Sequence, residues 1–339
     1  VSSPVPSSNP SDPAVKPAAI GPAPVDSVLP FSVSPLDVRG RVALLGPAVD
    51  AILKRHDYPK PVSRLLGEAI VLTAMLGTAL KFEGRFTLQT ATDGAVDMIV
   101  VDFETPDRIR AYARFDRDAV EAMPASEAQP ERLLGQGHLA LTVDQGVHMQ
   151  RYQGIVALDG TTLEEVAHQY FAQSEQIPTR VRLAVGEVMS RQPGEAPSHA
   201  WRAGGVMVQF LPEAPDRIAH RDLAPGDAPG GLDDEDGIRE DEDDAWVEAR
   251  ALVDTVEDHE LTDPDLTPER LLVRLFHERG VRVYEPHPIH DRCRCSREKV
   301  ESMLAQFSEE EKTDMTVDGE IVVTCEFCSS VYRFRADEV

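Results

Sequence analysis

Cys293-Arg294-Cys295 and Cys325-Glu326-Phe327-Cys328 contain all four cysteines of a 339-residue chain. A C-x-C pair and a C-x-x-C pair can each turn two thiolates toward one point. Together they offer the donor count and softness of a tetrahedral zinc site, with Zn–S bonds of about 2.3 Å. A set of four sulfurs leaves no position for water, so a zinc held this way is structural or regulatory rather than a hydrolytic Lewis acid. Two other readings use the same residues: two disulfides in a secreted module, or four unrelated buried thiols. The second is hard to reconcile with 292 residues passing before the first cysteine. His287 and His290 lie close upstream and could replace one sulfur, but four cysteines already complete the set.

The rest of the chain must position these groups. With 42% hydrophobic and 6% aromatic residues it can bury a substantial core and is expected to form two folded units plus flexible segments. There is no apolar run of about 18 residues and no basic-then-apolar N-terminal segment, so neither a membrane span nor a secretory signal is expected. A cytoplasmic protein with reduced cysteines is the default. The net charge of −25 is local, since residues 213–265 hold 20 Asp and Glu against 4 Arg, which is −16 of the total. That acidity argues against phosphate-backbone binding by the whole chain.

Residues 1–30, rich in Pro, Ser, Ala and Val, read as a disordered tail. Val42, Leu45, Val49, Ile52 and Leu53 fit one helical face that ends at Asp57-Tyr58-Pro59. The segment from Val62 to Leu80 is apolar enough to be a helix buried on more than one side. From Arg85 the period becomes two, and Asp93-Gly94 marks a hairpin turn. Strands are expected at 85–89, 95–101, 109–115, 138–143, 151–158, 180–185 and 205–211. Thr162 and Glu165 form a capping box for a helix through Leu163, Val166, Ala167, Tyr170 and Phe171. Strands in series before that helix favour an α+β fold. No catalytic spacing is visible in residues 36–212, and Gly204-Gly205 reads as a bulge or strand entry rather than a phosphate cradle.

Beyond Pro212 the chain is Pro/Gly-rich and then acidic, so it is expected to be solvated. Val247, Leu252, Val253, Val256 and Leu261 suggest a weakly amphipathic helix, burdened by Asp254, Glu257 and Asp258, with little energy available for docking. Thr267 as N-cap and Pro268 at N1 open a clearer helix that Gly280 ends. A short strand at 281–284 leads to the cysteines. Ser296 can cap a helix between the two pairs, and Asp318-Gly319 turns the chain into a final strand pair. This module of roughly 55 residues has too small a core to fold alone, and zinc would supply an apparent ~10 to 16 kcal/mol.

At this point the chain resembles a known family, the bacterial redox-regulated holdase chaperones called thirty-three-kilodalton heat-shock proteins. The resemblance spans about Leu36 to Phe334. It is carried by His56-Asp57-Tyr58-Pro59, Leu80-Lys81-Phe82-Glu83-Gly84, Arg151-Tyr152-Gln153-Gly154-Ile155-Val156, Ser174-Glu175-Gln176-Ile177-Pro178-Thr179-Arg180, and the two cysteine pairs with Ser296-Arg297-Glu298. His56, Tyr152 and Gly154 are expected to be turn, core and strand residues, respectively, rather than client contacts. Behind a tail (1–35), the resemblance implies an α+β sheet-and-helix core domain (36–212), an acidic, metastable helical linker (213–280) and a small C-terminal zinc domain (281–339). It also implies one Zn(2+) per chain in the reduced form, held by Cys293, Cys295, Cys325 and Cys328. Oxidation would then form Cys293–Cys295 and Cys325–Cys328 disulfides, release zinc and unfold the linker. The exposed surface, in a homodimer, would hold unfolding client proteins without ATP. The tail, an insertion around Met189 to Arg202 and the very acidic stretch around Leu232 to Asp244 depart from the family pattern.

Two other classes use the same motifs. A thiol-disulfide oxidoreductase would need its C-x-x-C in a thioredoxin-like βαβ setting, which the pattern lacks. A zinc-ribbon nucleic-acid binder would use Arg292, Arg294, Arg297, Lys299, Arg333 and Arg335, but Glu298, Glu301, Glu320 and Glu326 are interspersed among them. The expectation is therefore no enzymatic activity, no nucleic acid and no membrane.

Overall fold

Alternating and helical periods along the chain resolve into two six-stranded sheets with one helix between them, and a separate two-stranded sheet near the C-terminus. The computed structural model describes residues 25–80, 83–124, 129–145, 151–190, 198–212, 243–335 and 338. The chain runs through β1 (Ser27–Val33), β2 (Val38–Leu45), α1 (Pro47–Lys54) and α2 (Lys60–Gly77). It continues into the meander β3 (Arg85–Thr92), β4 (Val96–Glu104) and β5 (Arg108–Phe115). Short helices α3 (Arg117–Ala122) and α4 (Pro130–Leu134) lead to β6 (Gln136–Asp144) and β7 (Tyr152–Asp159). After α5 (Leu163–Tyr170) come the long paired strands β8 (Thr179–Ser190) and β9 (Ser198–Phe210). Then follow α6 (Asp244–Asp254), α7 (Asp258–Thr262) and α8 (Pro268–Phe276). Three two-residue strands, β10 (Arg282–Val283), β11 (His287–Pro288) and β12 (His290–Asp291), come next. The C-terminal unit is α9 (Arg297–Leu304), α10 (Glu309–Met315) and the hairpin β13 (Glu320–Thr324) and β14 (Val331–Arg335).

The first sheet has the order β10-β1-β2-β9-β8, with β11 also paired to β1, and the second the order β12-β5-β4-β3-β6-β7. This is the expected α+β class. Helix α2 lies between the sheets, and Leu65, Leu66, Ala69, Ile70, Val71 and Met75 are buried at 0% exposure, which explains a helix apolar on nearly every side. The first sheet therefore has two buried faces. Ala43, Leu45, Ala203 and Met207 face α2, whereas Val42, Leu44, Val206, Val208 and Phe210 face the opposite way, under α6 to α8. No helix among the described residues is long and apolar enough to cross a membrane.

Three expectations need correction. The tail does not extend to residue 35, because Ser27–Val33 is a strand paired along its whole length with β2, and Phe31 is 1% exposed. Residues 1–24 lie outside the described residues. Val42 and Leu45 belong to β2 rather than to a helix; both faces of this strand are buried, so its apolar residues imitate a helical spacing until Pro47 opens α1. The linker helices bury more apolar side chains than a weakly amphipathic segment would. Trp246, Ala249, Val253, Val256, Leu261, Leu271, Leu272, Leu275 and Phe276 are all buried against the first sheet. Val247, expected on the buried face, is exposed, and it is the neighbouring Trp246 that packs, on Phe210.

The acidic residues thought to burden this segment have partners. Asp254 meets Arg180 at 2.5 Å and Asp258 meets Arg182 at 3.2 Å, both on β8. Gly204 explains the close approach: a Cβ there would collide with the Leu261 carbonyl of α7. The expected acidic stretch at 232–244 lies almost wholly outside the described residues, as do residues 191–197 of the expected insertion.

Candidate metal centre and its seat on the core

The C-x-x-C pair sits in the turn of the β13–β14 hairpin. The N–H of Cys325 bonds to the Ser330 carbonyl at 2.9 Å, and the N–H of Ser329 bonds to the Cys325 carbonyl at 2.8 Å. At the far end of β13, Asp318 and Gly319 both take positive φ, which is the turn chemistry expected of that dipeptide. Cys293 and Cys295 lie between β12 and α9, whose N-cap Ser296 accepts from the Lys299 N–H at 3.3 Å. Among the described residues only Leu304, Ile321 and Phe334 form the module's buried apolar cluster, so it depends on something more than apolar packing.

The four sulfurs converge, all within 4.8 Å of one another. Sγ of Cys293 and Cys325 are 3.7 Å apart and those of Cys295 and Cys328 3.2 Å apart, near the ~3.8 Å edge of a tetrahedron with 2.3 Å metal–sulfur bonds. Tyr332 donates its hydroxyl to Cys295 at 3.1 Å, and Ser330 Oγ lies 3.2 Å from Cys328. Burial pushes the Cys295 thiol up to about 12 and raises that of Cys325. Cys328 is partly buried too, but Ser330 and the neighbouring sulfurs pull it down to about 7. Crowded sulfurs of this kind cannot all ionise without a compensating cation, and with one bound they would be thiolates. The donor set therefore fits a tetrahedral metal ion. His287 and His290 are absent from this group: they lie in β11 and β12, and His290 Nε2 is 3.7 Å from Asp107.

The module rests on the core through residues that no spacing in the sequence points to. Arg55, just after α1, pairs with Asp291 and donates to the Phe327 carbonyl at 3.2 Å. His56 Nε2 is 3.4 Å from the same carbonyl, and its Nδ1 is 3.2 Å from Ser329 Oγ. Tyr112 and Phe327 have ring centroids 6.4 Å apart. His56 is thus a turn residue, as expected, but a turn residue against the knuckle. Gly154 lies in a strand as expected, while Tyr152 is 47% exposed and not a core residue. Several basic residues of the module have partners within the chain, Arg294 with Glu104, Arg297 with Glu338 and Arg333 with Glu320, which weakens the nucleic-acid reading.

An α+β core, covered on one side by helices and joined to a four-thiol metal centre, is the arrangement of a class of non-enzymatic chaperones that hold client proteins. Residues 26–335 match the family described as Hsp33 protein, and the chain belongs to that family, as its motifs suggested. It is 43% identical over 311 residues to the 33 kDa chaperonin of Caulobacter vibrioides, covering 91% of this chain and 94% of the relative. To the 33 kDa chaperonin of Photorhabdus laumondii it is 33% identical over 315 residues, covering 93% and 94%. Its fold is similar to the crystal structure of the 33 kDa chaperonin of Thermotoga maritima, with a TM-score of 0.69 at 21% identity over 92% of this chain and 96% of that one.

Proposed function

We propose that the chain is a redox-switched, ATP-independent holdase whose four cysteines bind one zinc ion in the reduced, inactive form. The observation that carries this reading is the placement of α6 to α8. They bury the outer face of the first sheet, and α8 leads within a few residues to strands that end at the metal centre. Zinc would supply most of the module's folding free energy and keep four thiolates together.

Hydrogen peroxide provides the oxidant. One thiolate of a pair attacks a peroxide oxygen, becoming a sulfenic acid as hydroxide departs; the second thiolate displaces hydroxide from that sulfur and closes the disulfide. Each pair gives two electrons to one peroxide. We assign the pairs as Cys293–Cys295 and Cys325–Cys328, each cysteine taking its neighbour in sequence. Two such events remove all four donors and free the ion.

The linker is then held only by its own packing. Strands β10, β11 and β12 have two residues each, and the seat under Phe327 is lost when the knuckle unfolds. Ordering costs about 1–2 kcal/mol per residue, and the packing of α6 to α8 must offset it without the metal module's support. Their release would expose Leu29, Phe31, Val33, Val42, Val206 and Phe210 as an apolar sheet face for unfolding clients, within an oxidised homodimer in the cytoplasm.

Hydrogen exchange over residues 244–276, with peptide mapping of the disulfides, tests this. Peroxide treatment should speed exchange there while α2 stays protected, and the mapped bonds should join sequence neighbours. A linker equally protected in both forms, or bonds between the two motifs, would contradict the scheme.

A further inference from the structure

Arg110 stands on β5, outside the metal module, and its guanidinium is shared between the core and the metal centre. Nε and Nη2 donate to Asp102 at 2.9 and 2.5 Å, and Asp102 also accepts from Thr87 Oγ1 at 2.6 Å. The side chains of Arg110 and Asp102 are only 14% and 7% exposed, so β3 and β4 fix the cation without help from the module. The remaining nitrogen, Nη1, lies 3.9 Å from Cys293 Sγ. The guanidinium carbon is 3.9 Å from the centroid of Phe327, the residue before Cys328. One planar cation thus faces a sulfur of the C-x-C pair and covers the ring inside the C-x-x-C pair.

We propose that Arg110 is a positioning residue for the metal ligands, through which the core sets how fast the centre releases its ion. The proposal rests on the metal-centre reading above and adds the control of that centre from β5. The Nη1 arm, fixed 3.9 Å from Cys293 Sγ by the Asp102 pair, holds that sulfur at its place in the ligand set. The flat face over Phe327 restrains the knuckle that carries Cys325 and Cys328. Both contacts need the fork and plane of arginine. A lysine can keep the pair with Asp102 but presents no plane to the ring and no second arm to the sulfur. Partners of ligand residues of this kind typically alter metal affinity by about 10- to 100-fold.

The test compares zinc-loaded full-length protein with R110K and with the double variant R110Q/D102N, which leaves no buried charge unpaired. Zinc transfer to a chelating indicator is followed with and without a fixed concentration of peroxide, and core melting is recorded in parallel. R110K should melt with the wild-type core yet release zinc about tenfold faster, and the double variant should also release faster. F327L, which keeps every ligand, should fall between wild type and R110K. Wild-type release rates in both Arg110 variants would overturn the proposal. So would faster release that merely tracks an earlier core melt, because Arg110 would then be a structural ion-pair residue only. Wild-type protein that loads no zinc would sink the metal reading itself, whereas protein that loads zinc but holds no clients would leave this test intact.

Discussion

Phe31 of β1 and Phe276 of α8 pack in a tilted pair with ring centroids 5.7 Å apart, both at 1% exposure. A strand that opens the core thereby anchors the last turn of the helical cover just before the chain turns toward the cysteines. The contact makes the cover's attachment accessible to mutation without touching a thiol.

Phe276→Ala should loosen the cover in the reduced state. Truncating a buried Phe costs about 3–5 kcal/mol, and here the loss falls on docking of α6 to α8 rather than on the α2 core. Exchange over 244–276 should accelerate, and the reduced protein should bind an apolar-surface dye and hold clients in part. A variant as closed as wild type would show that this contact does not govern the cover.

Cys328→Ser should remove tight metal binding. Metal content after dialysis against a chelator should fall from one zinc per chain to none, and residues 296–335 should become protease-sensitive while the α2 core stays folded. Full retention of zinc would contradict a site built from these four sulfurs.

Arg182 holds two carboxylates, Glu164 of α5 at 3.2 Å and Asp258 of the cover at 3.2 Å. The exposed Asp258 arm is worth at most about 1 kcal/mol, but leaving the more buried Glu164 unpaired costs more. Arg182→Met should destabilise the protein by about 1–3 kcal/mol in denaturant titrations. Asp258→Asn should cost under about 1 kcal/mol and mainly reduce the salt dependence of cover opening.

His168 of α5 accepts the Val181 N–H at Nε2, 2.8 Å away, so the folded protein requires that nitrogen unprotonated. Burial, helped by the Arg180 charge, pushes its pKa from 6.5 down to about 4. Between these values the unfolded chain binds a proton that the native state does not, so stability falls as pH drops through that window and the effect levels off below it. Melting temperatures from pH 7 to 4 should therefore fall more steeply for wild type than for His168→Gln, which keeps an acceptor that does not titrate. Parallel curves would remove His168 from the account.

Local chemistry was the legible part of this fold. Thr162 with Glu165, and Thr267 with Pro268, cap α5 and α8 as their types require, and the cysteine spacing located the centre. Strands β1 and β2 were misread because a strand buried on both faces loses its alternation, and Pro30 and Pro35 gave the segment the look of a tail. The cover's contacts were not legible because its acidic residues meet arginines of β8 that no local pattern links to them. Arg55 and Arg110 were invisible as parts of the centre, since Arg110 lies 183 residues from Cys293 and no period links them.

The most direct test of the central claim is light scattering from a thermally unfolding client, mixed with reduced, zinc-loaded protein or with protein oxidised by peroxide and freed of released zinc. Only the oxidised form should suppress aggregation. Equal behaviour of the two forms would contradict that claim and leave the four cysteines as a purely structural metal site.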